Sequence, residues 1–168
     1  GFFALELIDS TAAMGTTMAL VSLPSILLMP FAGVLIDRWN RKKILIWSDI
    51  ICAAIVLMLA AAGFCGVMNI YLLAAAGILL GVAGSIFAPA VNAIIPDITP
   101  PGKLIMVNSI FQAIYALSSV AGNMLGGFLY TAIGALWIFV IDGVSYLYAS
   151  AGTLFMDIPQ PSPKESAK

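Results

Sequence analysis

The sequence predicts an all-α membrane protein, a polytopic bundle of helices that cross a lipid bilayer. Of its 168 residues, 62% are hydrophobic and 9% are charged, whereas a soluble domain carries roughly 25% charged residues. Too few charges are left to cover a surface that faces water, so membrane lipid must surround most of the chain. Three intervals without any charged residue indicate where the helices lie: 10–36, 50–96 and 104–141.

The thickness of a bilayer divides these intervals into five predicted spans. A bilayer core needs about 20 apolar residues per helix, so the interval 50–96 is too long for one span and holds two. Glycines and Asn69 mark the turn between them, and the stretch after Lys103 divides in the same way near 131–134. No segment alternates in polarity with a period of two, which argues against strands. The predicted spans are 12–36, 44–65, 69–95, 104–130 and 133–156.

The two ends of the chain differ from the spans. Residues 1–8 are interpreted as the end of a truncated transmembrane helix, and the polar, Pro-rich residues 157–168 predict a cytoplasmic linker. The chain begins with Gly1 and lacks the basic start of a signal peptide. We therefore expect a fragment, a processed piece or a truncated gene product.

The basic residues predict the orientation. All seven Lys and Arg residues lie in the segments that follow the first, third and fifth spans. Such residues favour the cytoplasmic side of a membrane. The basic loops and the C-terminal tail are therefore predicted to be cytoplasmic, in a multi-pass protein of the plasma (inner) membrane.

Residue types that are missing narrow the function. The sequence has no histidine and no GxxxxGK[ST] phosphate loop, which argues against histidine bases, zinc-protease motifs and ATP hydrolysis. No nucleophile, base or metal set converges, so neither an enzyme nor a cofactor nor a metal is predicted. The net charge of -1 does not indicate a nucleic-acid partner. Cys52 and Cys65 would point to nearly opposite faces of one helix and are interpreted as packing residues.

The clearest motif, residues 33–43, lies in the first basic loop. It resembles G-x-x-x-D-R-x-G-R-[RK]-[RK], the signature between helices two and three of the major facilitator superfamily. Asn40 replaces the second glycine, and Asn is among the residues that tolerate a left-handed backbone. An ordinary basic cluster after a span would explain the cations but not the matching glycine and aspartate. The matching positions are Gly33, Asp37, Arg38, Arg41, Lys42 and Lys43.

In that family, this loop latches the two halves of the transporter together on the cytoplasmic side and helps to hold the outward-facing state. By resemblance, Asp37 caps a helix of the missing C-terminal half, and Arg41 pairs with an acid of its own half. Asp97 and Asp157 are the cytoplasmic candidates for that acid.

The fourth span carries a second similarity, to the exporter signature G-x-x-x-G-P-x-x-G-G. Asn123 stands in place of the proline, and Ser118 in place of an earlier glycine. Small residues allow close helix packing, which suits contact between the transporter halves, but a generic GxxxG packing face would look the same. The matching positions also include Gly122, Gly126 and Gly127.

Further dispersed residues extend the resemblance over 12–158, to the macrolide-efflux and enterobactin-exporter branch. They include Ser48, Asp49, Pro89, Ile95, Pro96, Asp97, Asn108 and residues 139–146. The resemblance implies most of one six-helix half of a twelve-helix secondary transporter, which exports drugs or other amphiphilic small molecules in exchange for protons by alternating access. The arginine that many proton-coupled exporters carry in helix four has no equivalent here. A non-transporting truncated or regulatory membrane protein, or an importer of the same superfamily, is the alternative.

Polar residues inside the spans are candidates for a transport cavity. The fourth span carries them at i, i+4, i+7 and i+11, on one helix face. These residues are Asn108, Gln112, Tyr115 and Ser119. Ser85 and Asn92, seven residues apart on the third span, are expected to face the same space. The stripe predicts either a cavity wall or hydrogen bonds between helices.

Asp142 is the acid that lies deepest in a predicted span. An ionisable group at that depth costs several kcal/mol unless it is paired or protonated. Asp142 is therefore a candidate for carrying a proton or attracting a cationic drug, with a structural hydrogen bond as the alternative. Asp49 lies closer to the cytoplasmic edge and is interpreted as structural.

Overall fold

The computed structural model describes Leu27, Ile36 and residues 39–156, and the continuous part forms four long α-helices. Each helix is long and apolar enough to cross a membrane. This finding confirms the predicted all-α membrane bundle. The helices are α1 (Arg41–Phe64), α2 (Ile70–Ile98), α3 (Leu104–Ile133) and α4 (Ala135–Phe155).

The helices overlap the predicted spans 44–65, 69–95, 104–130 and 133–156, with ends that differ by up to three residues. Helix ends are set by backbone hydrogen bonds, so the membrane boundaries stay a prediction. The terminal segments 1–8 and 157–168 lie outside the described residues. So does the predicted span 12–36, apart from Leu27 and Ile36.

Asparagine side chains begin two of the helices. The Asn40 side chain accepts a hydrogen bond from the backbone N–H of Lys43 at 3.0 Å, and the Asn69 side chain accepts one from Leu72 at 2.8 Å. Each bond satisfies an N–H that has no partner within its helix. The φ of Asn40 is -63°, so this residue does not use the left-handed backbone that asparagine tolerates. Asn40 replaces the glycine of the signature as a helix cap in extended conformation.

Glycines with positive φ make the turns between the helices. Gly66 follows α1 with a φ of 71°, and its N–H donates to Gly63 at 3.1 Å. Gly134 alone separates α3 from α4, with a φ of 79°. Residues other than glycine rarely adopt a positive φ. Gly66 and Gly134 therefore allow the chain to reverse its direction within a few residues.

α1 is the central element, because it packs against both α2 and α4. Towards α2 the buried cluster joins Ile44 and Leu45 to Ala90 and Ile94. Ile36 belongs to the same cluster. Apolar side chains therefore determine which side of α1 packs against α2.

Towards α4, glycines allow a close approach of the two helices. A Cβ placed on Gly143 would lie 2.6 Å from Leu57 Cγ, and one on Gly63 would overlap with Leu136 Cδ2. Phe64 and the neighbouring Trp137 meet edge to face, with ring centroids 5.7 Å apart. These contacts make α1 and α4 antiparallel neighbours.

α3 is the peripheral helix of the described part of the chain. It touches α2 and α4 only at a few positions, and none of its residues is buried. A helix of this hydropathy needs lipid or other helices around it.

The close approach at Gly143 is testable. Gly143→Ala places a methyl group against Leu57, and we expect it to destabilise the protein by about 1–3 kcal/mol, which is the usual cost of overpacking a core. The measurement is the thermal unfolding of the complete protein in detergent.

Gly152→Ala on the same helix is the matched control, because nothing lies within 4 Å of its Cβ position. It carries the same gain in helix propensity, up to about 1 kcal/mol. In a double variant, Leu57→Ala should offset the destabilisation caused by Gly143→Ala, because it removes the side chain that the new methyl group would contact. Equal melting temperatures for the two glycine variants would contradict the packing.

Candidate functional site

The cationic loop motif is only partly within the described residues. Gly33, Asp37 and Arg38 lie outside them, so the cap that Asp37 is predicted to form stays a prediction. Arg41 and the two lysines that follow it make the first turn of α1.

Arg41 reaches across to the end of α2. Its Nη1 forms an ion pair with the Asp97 carboxylate and donates a hydrogen bond to the backbone oxygen of Ala93 at 2.9 Å. The Arg41 side chain is 12% exposed and that of Asp97 34%, so water screens the pair only in part. Asp97 is thus one of the two acids expected near Arg41, and Asp157, the other, lies outside the described residues.

The position of Arg41 suits the electrostatics of α2. Backbone carbonyls concentrate negative charge at the C-terminal end of a helix, which favours a cation there. Asp97 and Ala93 are one turn apart near that end, so one guanidinium nitrogen serves both. The Arg41 Nε is buried and, among the described residues, has no hydrogen-bond partner.

Lys42 makes an equivalent contact on the other side of α1. Its Nζ donates to the backbone oxygens of Leu154 at 2.9 Å and Met156 at 2.7 Å. These carbonyls end α4 and have no acceptor role within the helix, so the ammonium group caps them. The sequence analysis missed this contact, because a basic residue in a motif carries no local signal of a distant helix end. Lys43 is exposed.

A cleft of about 380 Å³ lies between α2 and α3. Four of the six polar residues proposed from helical spacing line it: Asn92, Asn108, Gln112 and Tyr115. Ser119 and Ser85 do not line it, and the Ser85 hydroxyl donates instead to Val82 O within its own helix at 2.7 Å. The structure therefore brings together the part of the predicted stripe that lies nearer to the start of α3.

Apolar side chains, which the sequence analysis missed, form the rest of the cleft. Phe87, Val91 and Ile95 recur every four residues along α2, a spacing that could have identified them. Phe111 lies on α3 between the polar positions, and Ala88 completes the wall. Amide and phenol groups among aromatic rings, with no charged side chain in the lining, suit an amphiphilic ligand that carries hydrogen-bonding groups.

The remaining candidates stay apart from this cleft. Gly122, Gly126 and Gly127 of the exporter-like motif face open space, because nothing lies within 4 Å of their Cβ positions. Asn123 beside them is exposed, and their packing role stays a prediction. Asp142 lies on α4, where its backbone oxygen accepts a hydrogen bond from the Ser145 hydroxyl at 2.7 Å.

Comparisons with known proteins agree with the resemblance. The family model of the Major Facilitator Superfamily matches residues 2–168. Macrolide efflux protein A of Enterococcus faecalis is 28% identical over 150 residues, which cover 89% of this chain and 46% of that protein. Macrolide efflux protein A of Streptococcus pyogenes is 26% identical over 159 residues, with 95% and 39% covered. Multidrug resistance protein 3 of Bacillus subtilis is 30% identical over 117 residues, with 68% and 21% covered.

The chain thus spans less than half the length of each of these relatives.

The Arg41–Asp97 pair can be measured by a double-mutant cycle. We expect Arg41→Gln and Asp97→Asn to be coupled by about 1–3 kcal/mol in the unfolding free energy, because the pair is partly buried and charge-assisted. Unfolding of the complete protein in mixed micelles gives the cycle.

The same cycle with Lys43→Gln and Asp97→Asn is the matched control. Lys43 is exposed, so we expect coupling below about 0.5 kcal/mol, as for exposed pairs. If both cycles gave the same coupling, Asp97 would sense only the general positive charge of the loop.

Proposed function

The chain belongs to the Major Facilitator Superfamily, and we propose that the complete protein is a secondary transporter that exports drugs or other amphiphilic small molecules. Export is the direction that the names of two relatives state, since both are macrolide efflux proteins. In this proposal, the chain provides helices of the amino-terminal half, and a second half completes the pathway for alternating access.

The observation that carries the proposal is the cleft between α2 and α3. Asn108, Gln112 and Tyr115 project from one face of a helix whose length and hydropathy suit a membrane. A buried amide without a hydrogen-bond partner costs roughly 2–7 kcal/mol in an apolar medium. A stripe of such groups is stable when it faces water, protein or a polar ligand, and a transport cavity offers all three.

The exposure of α3 fits the same proposal. None of its residues is buried in the described part of the chain, although it carries both the polar stripe and the glycines of the exporter-like motif. Contact with the second half would cover the glycine face, because small residues allow backbones to approach closely. The polar stripe would then border the space between the two halves.

The cationic turn at the start of α1 is assigned to the cytoplasmic side. Basic loops favour that side, and the family uses this loop as a latch between the halves. The pairing of Arg41 with Asp97 holds the loop on its own half, and Asp37 remains the proposed contact with the other half. Protons are the proposed driving ion.

Drug accumulation tests the proposed function. Cells that lack other exporters and express the complete protein should accumulate less of a macrolide or an amphiphilic dye than vector controls. A protonophore should abolish the difference, because it removes the proton gradient. Radiolabelled macrolide or dye fluorescence measures accumulation.

The outcome separates the alternatives. Higher accumulation in expressing cells would identify an importer. Unchanged accumulation across a broad panel, with the protein present in the membrane, would favour a non-transporting regulatory role. Export that persists with the protonophore would reject protons as the driving ion.

The cleft residues can be tested within this assay. Gln112→Ala removes an amide from the cleft, and we expect the transport KM to rise about tenfold, which corresponds to the loss of one hydrogen bond of about 1.4 kcal/mol. Concentration dependence of efflux in membrane vesicles gives the KM.

Ser109→Ala on the same helix is the control. The Ser109 hydroxyl donates to Ile105 O at 2.9 Å, within its own helix, and does not line the cleft. If Ser109→Ala changed the KM as much as Gln112→Ala, the effect would come from α3 as a whole rather than from the cleft.

A further inference from the structure

Asp49 is a buried residue of α1, a helix that is long and apolar enough to span a membrane. Asp49 is 4% exposed and lies eight residues after the start of α1, about 12 Å along the helix at 1.5 Å per residue. Ser48, Cys52 and Ala53 around it on α1 are also buried. Within residues 39–156, no hydrogen bond or ion pair to the Asp49 side chain is found.

Among the residues that the structure describes, no cation lies at the same depth as Asp49. The sequence has no Lys or Arg between 43 and 103 or between 103 and 164, and residues 10–36 carry no charge. Arg41 pairs with Asp97, and Lys42 caps the end of α4. Lys43 is exposed and lies about 9 Å back along the helix.

The register of α4 places further ionisable groups beside Asp49. Lys42 contacts Leu154, and Leu57 lies over Gly143. In this antiparallel register Asp49 lies level with Ser150, which is 5% exposed. The next groups towards the middle of the membrane are Cys52 on α1 and Tyr146 on α4.

Asp142 ends this row, one turn beyond Tyr146 on the same helix. Cys52 is buried three residues after Asp49 on α1. Tyr146 is half-buried and Asp142 is exposed. The row along α1 and α4 therefore holds four ionisable groups, and its buried end is Asp49.

The other ionisable groups on the helices packed against α1 lie elsewhere. On α2, Tyr71 is at the opposite end of the helix, and Asp97 is engaged with Arg41. On α4, Tyr148 is 82% exposed. Within the described residues, Asp49 therefore has Cys52 and Tyr146 as its nearest ionisable neighbours and no compensating positive charge at its level.

An ionised carboxylate in this position would be costly. Moving an unpaired charge into lipid or a helix interface costs several kcal/mol. A metal ion or an organic cation would need several ligand atoms and room around it. A proton neutralises the carboxylate without either requirement.

We propose that the α1–α4 interface contains a proton-binding site, separate from the α2–α3 cleft, in which Asp49 holds the proton at neutral pH. Ser150, Cys52 and Tyr146 are the polar and ionisable side chains that lie nearest to it in this register. Proton binding at this site stands by itself, whereas its use to drive export rests on the proposed function.

Infrared spectroscopy of the complete protein in lipid tests the site. A protonated carboxyl group has a carbonyl stretching band that an ionised carboxylate lacks. The wild-type spectrum at neutral pH should contain this band and the spectrum of Asp49→Asn should lack it, so that the band appears in the difference spectrum. The band should decrease on titration to alkaline pH, with the protonated-to-ionised ratio changing about tenfold per pH unit.

Asp97→Asn is the matched control, because Asp97 is an ion-paired carboxylate at the end of α2 and its replacement should leave the band unchanged. Loss of carboxylate bands instead of the protonated band in Asp49→Asn would overturn the proposal. So would assignment of the band to Asp142 alone through Asp142→Asn.

A second measurement covers a variant that is too unstable for spectroscopy. A hydrophobic carbodiimide modifies protonated carboxyl groups within membranes, and mass spectrometry of the wild-type protein should find the adduct on Asp49, decreasing as the pH rises. An adduct on Asp142 but not on Asp49 would overturn the assignment. In the transport assay, Asp49→Asn should flatten the pH dependence of efflux; if the band is present but the efflux profile is unchanged, the site binds a proton without driving export.

Discussion

The absence of water from a bilayer core is the constraint on which this structure depends. Every backbone polar group at that depth has to find its partner within the chain. The described residues form four continuous helices, and the connections between these helices are limited to 65–69, 99–103 and 134. Asn40 and Asn69 supply side-chain caps, and Gly66, Gly102 and Gly134 supply the backbone conformations that other residues avoid. Polar side chains that remain inside the helices therefore need a specific reason to be there.

The start of α1 organises its two neighbours through adjacent cations. Arg41 reaches the C-terminal end of α2, and Lys42 reaches the C-terminal end of α4. Both helix ends carry carbonyl groups that favour positive charge. The loop motif is proposed to join transporter halves, and in this structure its basic residues also connect α1 to α2 and α4. A substitution of Arg41 or Lys42 would thus alter the packing of α1 against α2 or α4, in addition to any contact with a second half.

Local patterns predicted the elements of the fold and several residues of the cleft. The charge-free intervals indicated the helices, and the spacing of Asn108, Gln112 and Tyr115 indicated one face, because both signals repeat along a single helix. The contacts between helices were harder to predict. The contact of Lys42 with Leu154, and the position of Phe87 and Tyr115 in one cleft, depend on how two separate segments align. For α1 and α4, this alignment goes with the close approach at Gly63 and Gly143, which the pattern of a single helix does not reveal.

The same alignment of α1 and α4 determines the surroundings of Asp49. Its distance from the helix end suggested a structural acid near the membrane surface, yet the register with α4 places it level with buried Ser150 and near Tyr146. The cleft, in contrast, is lined without charged side chains and lies on the far side of α2. α2 carries Ile95 in the cleft and, two residues later, Asp97 in the ion pair with Arg41 on α1. The ion pair of Arg41 with Asp97 and the packing of α1 against α2 therefore link the ionisable row to the cleft, because α1 belongs to the row and α2 to the cleft.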